Sequence, residues 1–348
     1  MIGGLGCGVL TVMEKSAVYR RRSCGPWPAG SACQIVGSIM KFDRRLGRII
    51  SAVLVLFAMT FAWPALSGWL DGGRDLPPAS STALSRMPTS QNIQIQLGEP
   101  SAQFLTRFAG HVQVNSQPSG LDLLSLDWRS PAKGRVTLDQ PGAAVSVDHV
   151  IGVQTFRRAA DVDRQGLTRF AIYAGLNDGG DIGHDAARVY IHGLLSRILA
   201  AGWQQHVEAD EPRLAGAERL KRTLASSNLN GLDARYVLPL TEWMQVEDGT
   251  PWSFVRDDAV LQVTFRRDAA RLDPGQPGAY FLSLNWMSVN EHSREMVDPD
   301  DRARWRDLIP VVLEQARQRR GEKEEELRKA GWRIDASYVD PQISQERR

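Results

Sequence analysis

Histidines, acid-rich turns and cysteines are the groups in this chain that could do chemistry, and their spacing is the first thing to read. His111, His149, His184, His192, His206 and His292 are scattered. A zinc site needs imidazoles, thiolates or carboxylates brought to one ion, and in sequence this usually shows as short, regular intervals. His184 and His192 could share a helix face, yet no acid or further histidine stands at such an interval from them. Core or solvent histidines are the plainer reading, and no metal ligand or cofactor is expected. The turn NDGGDIGHD at 177–185 offers Asp178, Asp181 and Asp185. Calcium accepts such oxygens, but the twelve-residue loop spacing and its closing glutamate are missing. A solvated turn with Asp185 as a helix N-cap is the better account, since its carboxylate can accept from first-turn amides.

The familiar catalytic signatures are absent: no GxSxG elbow, no GxxxxGK[ST] phosphate loop and no HExxH pair occur. Cys7, Cys24 and Cys33 all precede Met40, so the body carries no disulfide, thiolate site or cysteine nucleophile. A formal charge of +2 gives no basic excess for nucleic acid. These absences favour a non-enzymatic binding module over an enzyme. Its candidate contact residues are Trp243, Trp252 and Trp286, because aromatics are enriched at interface hot spots. Arg157 and Arg266, which end apolar runs, could meet an acidic partner.

The elements that must carry these residues begin after a distinct N-terminal region. Residues 1–39 share no period with the rest and read as a leader upstream of a start at Met40. Lys41, Arg44, Arg45 and Arg48 precede an apolar run over 49–70. This is the pattern of an export signal, and at about 1.5 Å per residue the run could also span a core of roughly 30 Å. Residues 40–70 are therefore either a signal peptide or a single transmembrane anchor. The preceding positive charge places the body outside the cytoplasm. Residues 71–90, rich in Gly, Pro and Ser, read as a flexible tether.

Beyond the tether, β-like alternation dominates, broken by helical periods. Ile191, Leu194, Leu195, Ile198 and Leu199 recur as one helix face. TEWMQV, AVLQVTFRR and GAYFLSLNWM read as strands, as does Trp332–Val339. PDDRARWRDLIPVVLEQARQRR is helical, with Asp298 as a cap and a kink or break at Pro310. TFRR occurs at 155–158 and again at 264–267, and Ala201-Gly202-Trp203 recurs as Ala330-Gly331-Trp332. Glu211-Pro212 likewise parallels Asp340-Pro341. In each Ala-Gly-Trp, glycine would end a helix and tryptophan would start the next strand.

The expected fold is therefore α+β, with two repeated ββαβ-type units over 91–212 and 213–348. Each would be an antiparallel sheet with helices packed on one face, following the N-terminal membrane segment. PRLAGAERL, YVLPLTEWM and YVDP, spread over the region after residue 150, resemble uncharacterised exported proteobacterial proteins found beside type VI secretion toxins. That resemblance implies an envelope immunity or accessory protein that binds a toxin. The expected partners are thus another envelope or secreted protein and the inner membrane through 49–70, with no nucleic acid. The alternatives are a hydrolase or metal-dependent enzyme without familiar motifs, or a structural envelope component.

Overall fold

The alternation in GAYFLSLNWM turns Tyr280, Leu282, Leu284 and Trp286 to one side of an extended chain, where all four are buried. The strand they belong to lies in the middle of the fold. The computed structural model describes residues 92–128, 132–158, 165–226 and 231–341. The expected leader, signal or anchor, and tether lie outside the described residues. No helix among the described residues is long and apolar enough to cross a membrane.

In chain order the elements are β1 (Asn92–Ile95), α1 (Ser101–Arg107), β2 (Gln113–Gln117), β3 (Leu121–Asp127), β4 (Gly134–Leu138), β5 (Val145–Arg158), β6 (Arg169–Ala174), β7 (Asp181–Gly183) and α2 (His184–Ala200). There follow β8 (Gln204–Gln205), α3 (Gly216–Ala225), α4 (Leu240–Trp243), β9 (Trp252–Arg256), β10 (Ala259–Arg267), β11 (Pro277–Ser288), α5 (Val289–Met296), a 3-10 turn (Pro299–Arg304) and α6 (Trp305–Lys329). The strands form one mixed sheet in the order β1-β4-β5-β6-β11-β10-β9-β8, with β2 and β3 added on β5 and β7 on β11. β1 and β4 are parallel, whereas β5, β6, β11, β10 and β9 are successively antiparallel.

The α+β class stands. Two expectations about its arrangement do not. Strands from both proposed units pair directly, β6 with β11 and β8 with β9, so the halves share one sheet. Helices also pack on both faces rather than one. On the first face, Leu261–Trp286, Val263–Leu284 and Phe265–Leu282 are cross-strand pairs beneath α2, whose Ile191, Leu194, Leu195 and Ile198 join the same core. Residues one position along point the other way. Val255, Val260 and Met287 meet Val289 of α5 in a separate small core on the second face. Val297, Trp305 and Ile309 then fasten α6 beside α5.

Three local expectations are corrected. TEWMQV is not a strand: it forms α4 and a following turn, and Trp332–Val339 carries no strand. α6 runs through Pro310 without a break. Asp185 lies in the first turn of α2 and pairs with Arg188, while Gly183 occupies the N-cap. Asp298 does cap, accepting from the Asp300 amide at the 3-10 turn.

The repeat landmarks fare differently from one another. Ala-Gly-Trp forms the same helix stop twice. Gly202 and Gly331 take positive φ of 93° and 83°, and the Trp203 and Trp332 amides reach back to the Ile198 and Leu327 carbonyls. This is the six-to-one closure of a left-handed glycine cap. Beyond it the copies diverge. Trp203 is buried and donates its ring N–H to the Ala143 carbonyl. Trp332 is half-buried beneath the Lys221 ammonium. The TFRR copies do not superpose in register. Thr155 is buried and paired with Phe170, whereas Thr264 faces the opposite side and Phe265 takes the core place. A one-residue slip reverses every side chain in a strand, so the four shared letters play different parts.

The candidate contact tryptophans are core residues, which is a correction. Trp243, Trp252 and Trp286 each have 0% exposure. Trp243 stacks on Phe265 with centroids 4.4 Å apart and donates its ring N–H to the Tyr280 hydroxyl. Trp243→Ala is expected to cost about 3–5 kcal/mol of unfolding free energy in urea titration, as for a large ring lost from a packed core. A surface contact would change it by only about 0.5 kcal/mol.

His192 lies against this aromatic layer, and its Nε2 accepts from the Leu238 amide. Burial, assisted by the Arg188 charge, lowers its pKa from 6.5 to about 4. The unfolded chain therefore takes up the proton first as pH falls. The contribution of neutral His192 to stability is full above pH 6.5 and is lost as pH falls toward 4. Melting temperature is expected to drop across that window in the parent protein and to drop less in His192→Gln.

Candidate metal centre

The described residues gather two histidines and one glutamate that the sequence holds far apart. β8 ends at Gln205, but the chain stays extended: the His206 amide donates to the Ser253 carbonyl at 2.8 Å. In an extended chain, residues two apart share a face, so His206 and Glu208 point the same way while Val207 turns inward and is buried. Several bonds hold this stretch. The Gln205 side chain donates from Nε2 to the carbonyls of His206, Leu232 and Ser253, and its Oε1 accepts from the Ala234 backbone amide. The Tyr338 hydroxyl accepts from the Val207 amide at 2.9 Å. Arg320 donates to the Glu208 carbonyl at 2.7 Å while its other arm grips Asp340.

His292 arrives from the opposite direction on α5. Ser288 caps that helix by accepting from the Glu291 amide, an arrangement its sequence Ser-Val-Asn-Glu favours. The three ligand atoms lie within 4.8 Å of one another. Glu208 Oε2 is 3.6 Å from His206 Nε2 and 3.5 Å from His292 Nε2. The imidazole rings are 5.9 Å apart, with an 83° interplanar angle. The His206 side chain is only 9% exposed, and among the described residues neither ring nitrogen has a hydrogen-bond partner. The Glu208 side chain is partly exposed, at 35%.

Charge and geometry both suit a cation. Burial opposes ionisation of Glu208, but the two imidazoles overcome it and hold its carboxyl well below the usual range. Burial likewise opposes charge on His292, and the Glu208 carboxylate overcomes it and raises the imidazole. The carboxylate is thus ready as a ligand, and a metal would compete with protons for His292. At metal–ligand distances of about 2.0–2.2 Å, tetrahedral ligand atoms stand about 3.3 Å apart. The two carboxylate edges need only a few tenths of an ångström of closure, and the two imidazoles, whose ligand atoms lie within 4.8 Å, must draw closer as well. Two imidazoles with one carboxylate match the catalytic zinc ligand set, with solvent completing the shell. They disfavour magnesium and calcium, which prefer oxygen alone.

The residues singled out from sequence lie elsewhere. Arg157 pairs with Asp122 at 2.8 Å. Arg266 is half-buried, with burial lowering its pKa, and stands opposite Phe281 in the sheet. The acids of the 177–185 turn are not gathered: Asp178 meets His149, Asp181 meets Arg271, and Asp185 meets Arg188. His184 and His192, the pair weighed in the sequence, lie outside the cluster, with His184 meeting the Tyr280 hydroxyl and His192 the Leu238 amide; His206, Glu208 and His292 were not singled out there. The His-x-Glu pair in an extended segment was a signal available locally. Nothing local in the sequence links it to His292. Comparison with models of known families, with curated proteins and with solved structures finds no match.

Proposed function

We propose that this protein binds a divalent transition-metal ion, zinc in first place, through His206, Glu208 and His292. The carrying observation is the buried His206 ring. Its two nitrogens lack hydrogen-bond partners among the described residues, and it is aimed at a carboxylate and a second imidazole. Leaving a buried polar group without a close partner costs about 1–3 kcal/mol, and an ion bound at Nε2 would replace the long 3.6 Å contact with Glu208 by direct coordination. The partial exposure of Glu208 allows solvent or a small exogenous ligand to complete the coordination. The apolar run at 49–70, preceded by Lys41, Arg44, Arg45 and Arg48, supports an extracytoplasmic setting for this site. A toxin-binding role would have to use contacts other than Trp243, Trp252 and Trp286.

A duplicated ancestry is a separate reading, favoured by two observations. The hairpins β5–β6 and β10–β11 sit side by side in the sheet, and α2 and α6 end in the same Ala-Gly-Trp cap. The strand copies would then be displaced by one residue relative to the TFRR letters.

The metal reading is tested with the purified body stripped by chelation. Zinc at about a hundred times its dissociation constant should stabilise the fold by about 2.7 kcal/mol. For a domain of this size that raises the melting temperature by roughly 5–10 °C. One ion per chain is expected by elemental analysis after dialysis. His206→Ala, Glu208→Ala and His292→Ala should each abolish the shift, while His111→Ala should keep it. A zinc response that survives all three ligand substitutions sinks the assignment.

A further inference from the structure

We infer that Arg158 and Arg169 are positioning residues for the metal centre, holding α5 so that His292 meets His206 and Glu208. This inference rests on the metal reading above and adds the device that sets the geometry. α5 has 8 residues, about two turns, and helices so short are marginal without tertiary ties. Its orientation therefore depends on what grips it.

Two guanidinium groups do so, one per turn. Arg158, the last residue of β5, makes a two-armed contact with Glu291 at 2.6 and 3.0 Å. The Glu291 side chain is only 2% exposed, and the Thr168 hydroxyl adds a third contact at 3.3 Å. Arg169, the first residue of β6, spans from Asn285 on β11 at 2.7 Å to Glu295 on α5. Glu291 and Glu295 are four apart, so both face the β5–β6 hairpin. His292 is one position further round the helix and projects to the side, toward the 206–208 segment.

The arrangement is selective for arginine. A planar fork matches a carboxylate on both oxygens and fixes its orientation, which an ammonium on a flexible stem does not. Buried ion pairs of this kind add little net stability over an apolar replacement, but they specify position. Contacts that orient metal ligands are commonly worth 10–100-fold in affinity. The other half of the site has its own ties through Arg320 and Tyr338, so the β5–β6 clamp acts on His292 alone.

The experiment compares wild type with Arg158→Met, Arg158→Lys, Arg169→Met and the double variant Arg158→Met/Glu291→Leu. The double variant removes the clamp without stranding a buried carboxylate, and Arg158→Lys is the mild case. Folding is checked by far-ultraviolet circular dichroism and thermal melting. Zinc affinity is measured by competition with a chromophoric chelator, and cobalt(II) absorption reports the coordination geometry. The clamp predicts affinity about 10–100-fold lower in the folded Met variants. It also predicts weaker, shifted cobalt bands as the His292 nitrogen leaves, with Arg158→Lys in between. A folded double variant or Arg158→Lys protein with wild-type affinity and an unchanged cobalt spectrum overturns the clamp and leaves the metal reading standing. Wild-type protein that binds neither zinc nor cobalt overturns the metal reading and this inference with it.

Discussion

Trp286 and Met287 are neighbours in sequence and point to opposite faces of the sheet, and the molecule is organised around that alternation. Trp286 joins the large core under α2, while Met287 joins Val255, Val260 and Val289 beneath α5. β11 is thus buried on both sides at its C-terminal end. The second small core seats α5 together with the Arg158–Glu291 and Arg169–Glu295 ion pairs, and α5 carries His292 to the segment after β8. The pleat of one strand therefore supports both the bulk of the apolar burial and the placement of the candidate site.

Arginine is the second organising agent. Arg267 is almost buried and donates to the carbonyls of Trp243, Met244 and Val246, closing the turn after α4 while also meeting Asp248. Arg213 and Glu324 tie the segment after the His-x-Glu stretch to α6 at 2.7 Å, and Lys323 reaches Glu211 at 3.2 Å. These contacts join parts of the chain distant in sequence. Buried ionic contacts are costly to leave half-made, so they discriminate among arrangements that apolar packing alone would tolerate. Such ties occur on both faces, Arg267 beside the stacked rings and Arg158, Arg169 and Arg213 around α5 and α6. The first face is held by stacked rings.

The two repeated sequence landmarks show how far local reading reaches. Ala-Gly-Trp was legible because a left-handed residue after a helix is a backbone requirement that glycine meets at little cost; the same hydrogen bonds form in both copies. TFRR misled because a strand tetrapeptide says nothing about which face each letter takes. Thr155 sits against Phe170, whereas at the second copy Phe265 holds the core place. The tryptophans misled for a related reason: ring size marks both cores and interfaces, and only neighbours decide. Trp243 has Phe265, Trp252 and Tyr280 around it, so it is core.

Sequence alone determined the α+β class, the amphipathic helix now seen as α2, its apolar stripe, and both glycine caps. These follow from periods of 2 and 3.6 and from backbone sterics, which act within a few residues. Only the tertiary structure decided that the two halves share a single sheet, that helices cover both faces, and that His292 meets His206 and Glu208. Strand order and ligand convergence depend on contacts between distant segments, such as the β6–β11 pairing and the ion pairs that Arg158 of β5 and Arg169 of β6 make with Glu291 and Glu295 of α5. No local period records which distant partner a histidine or an arginine will meet.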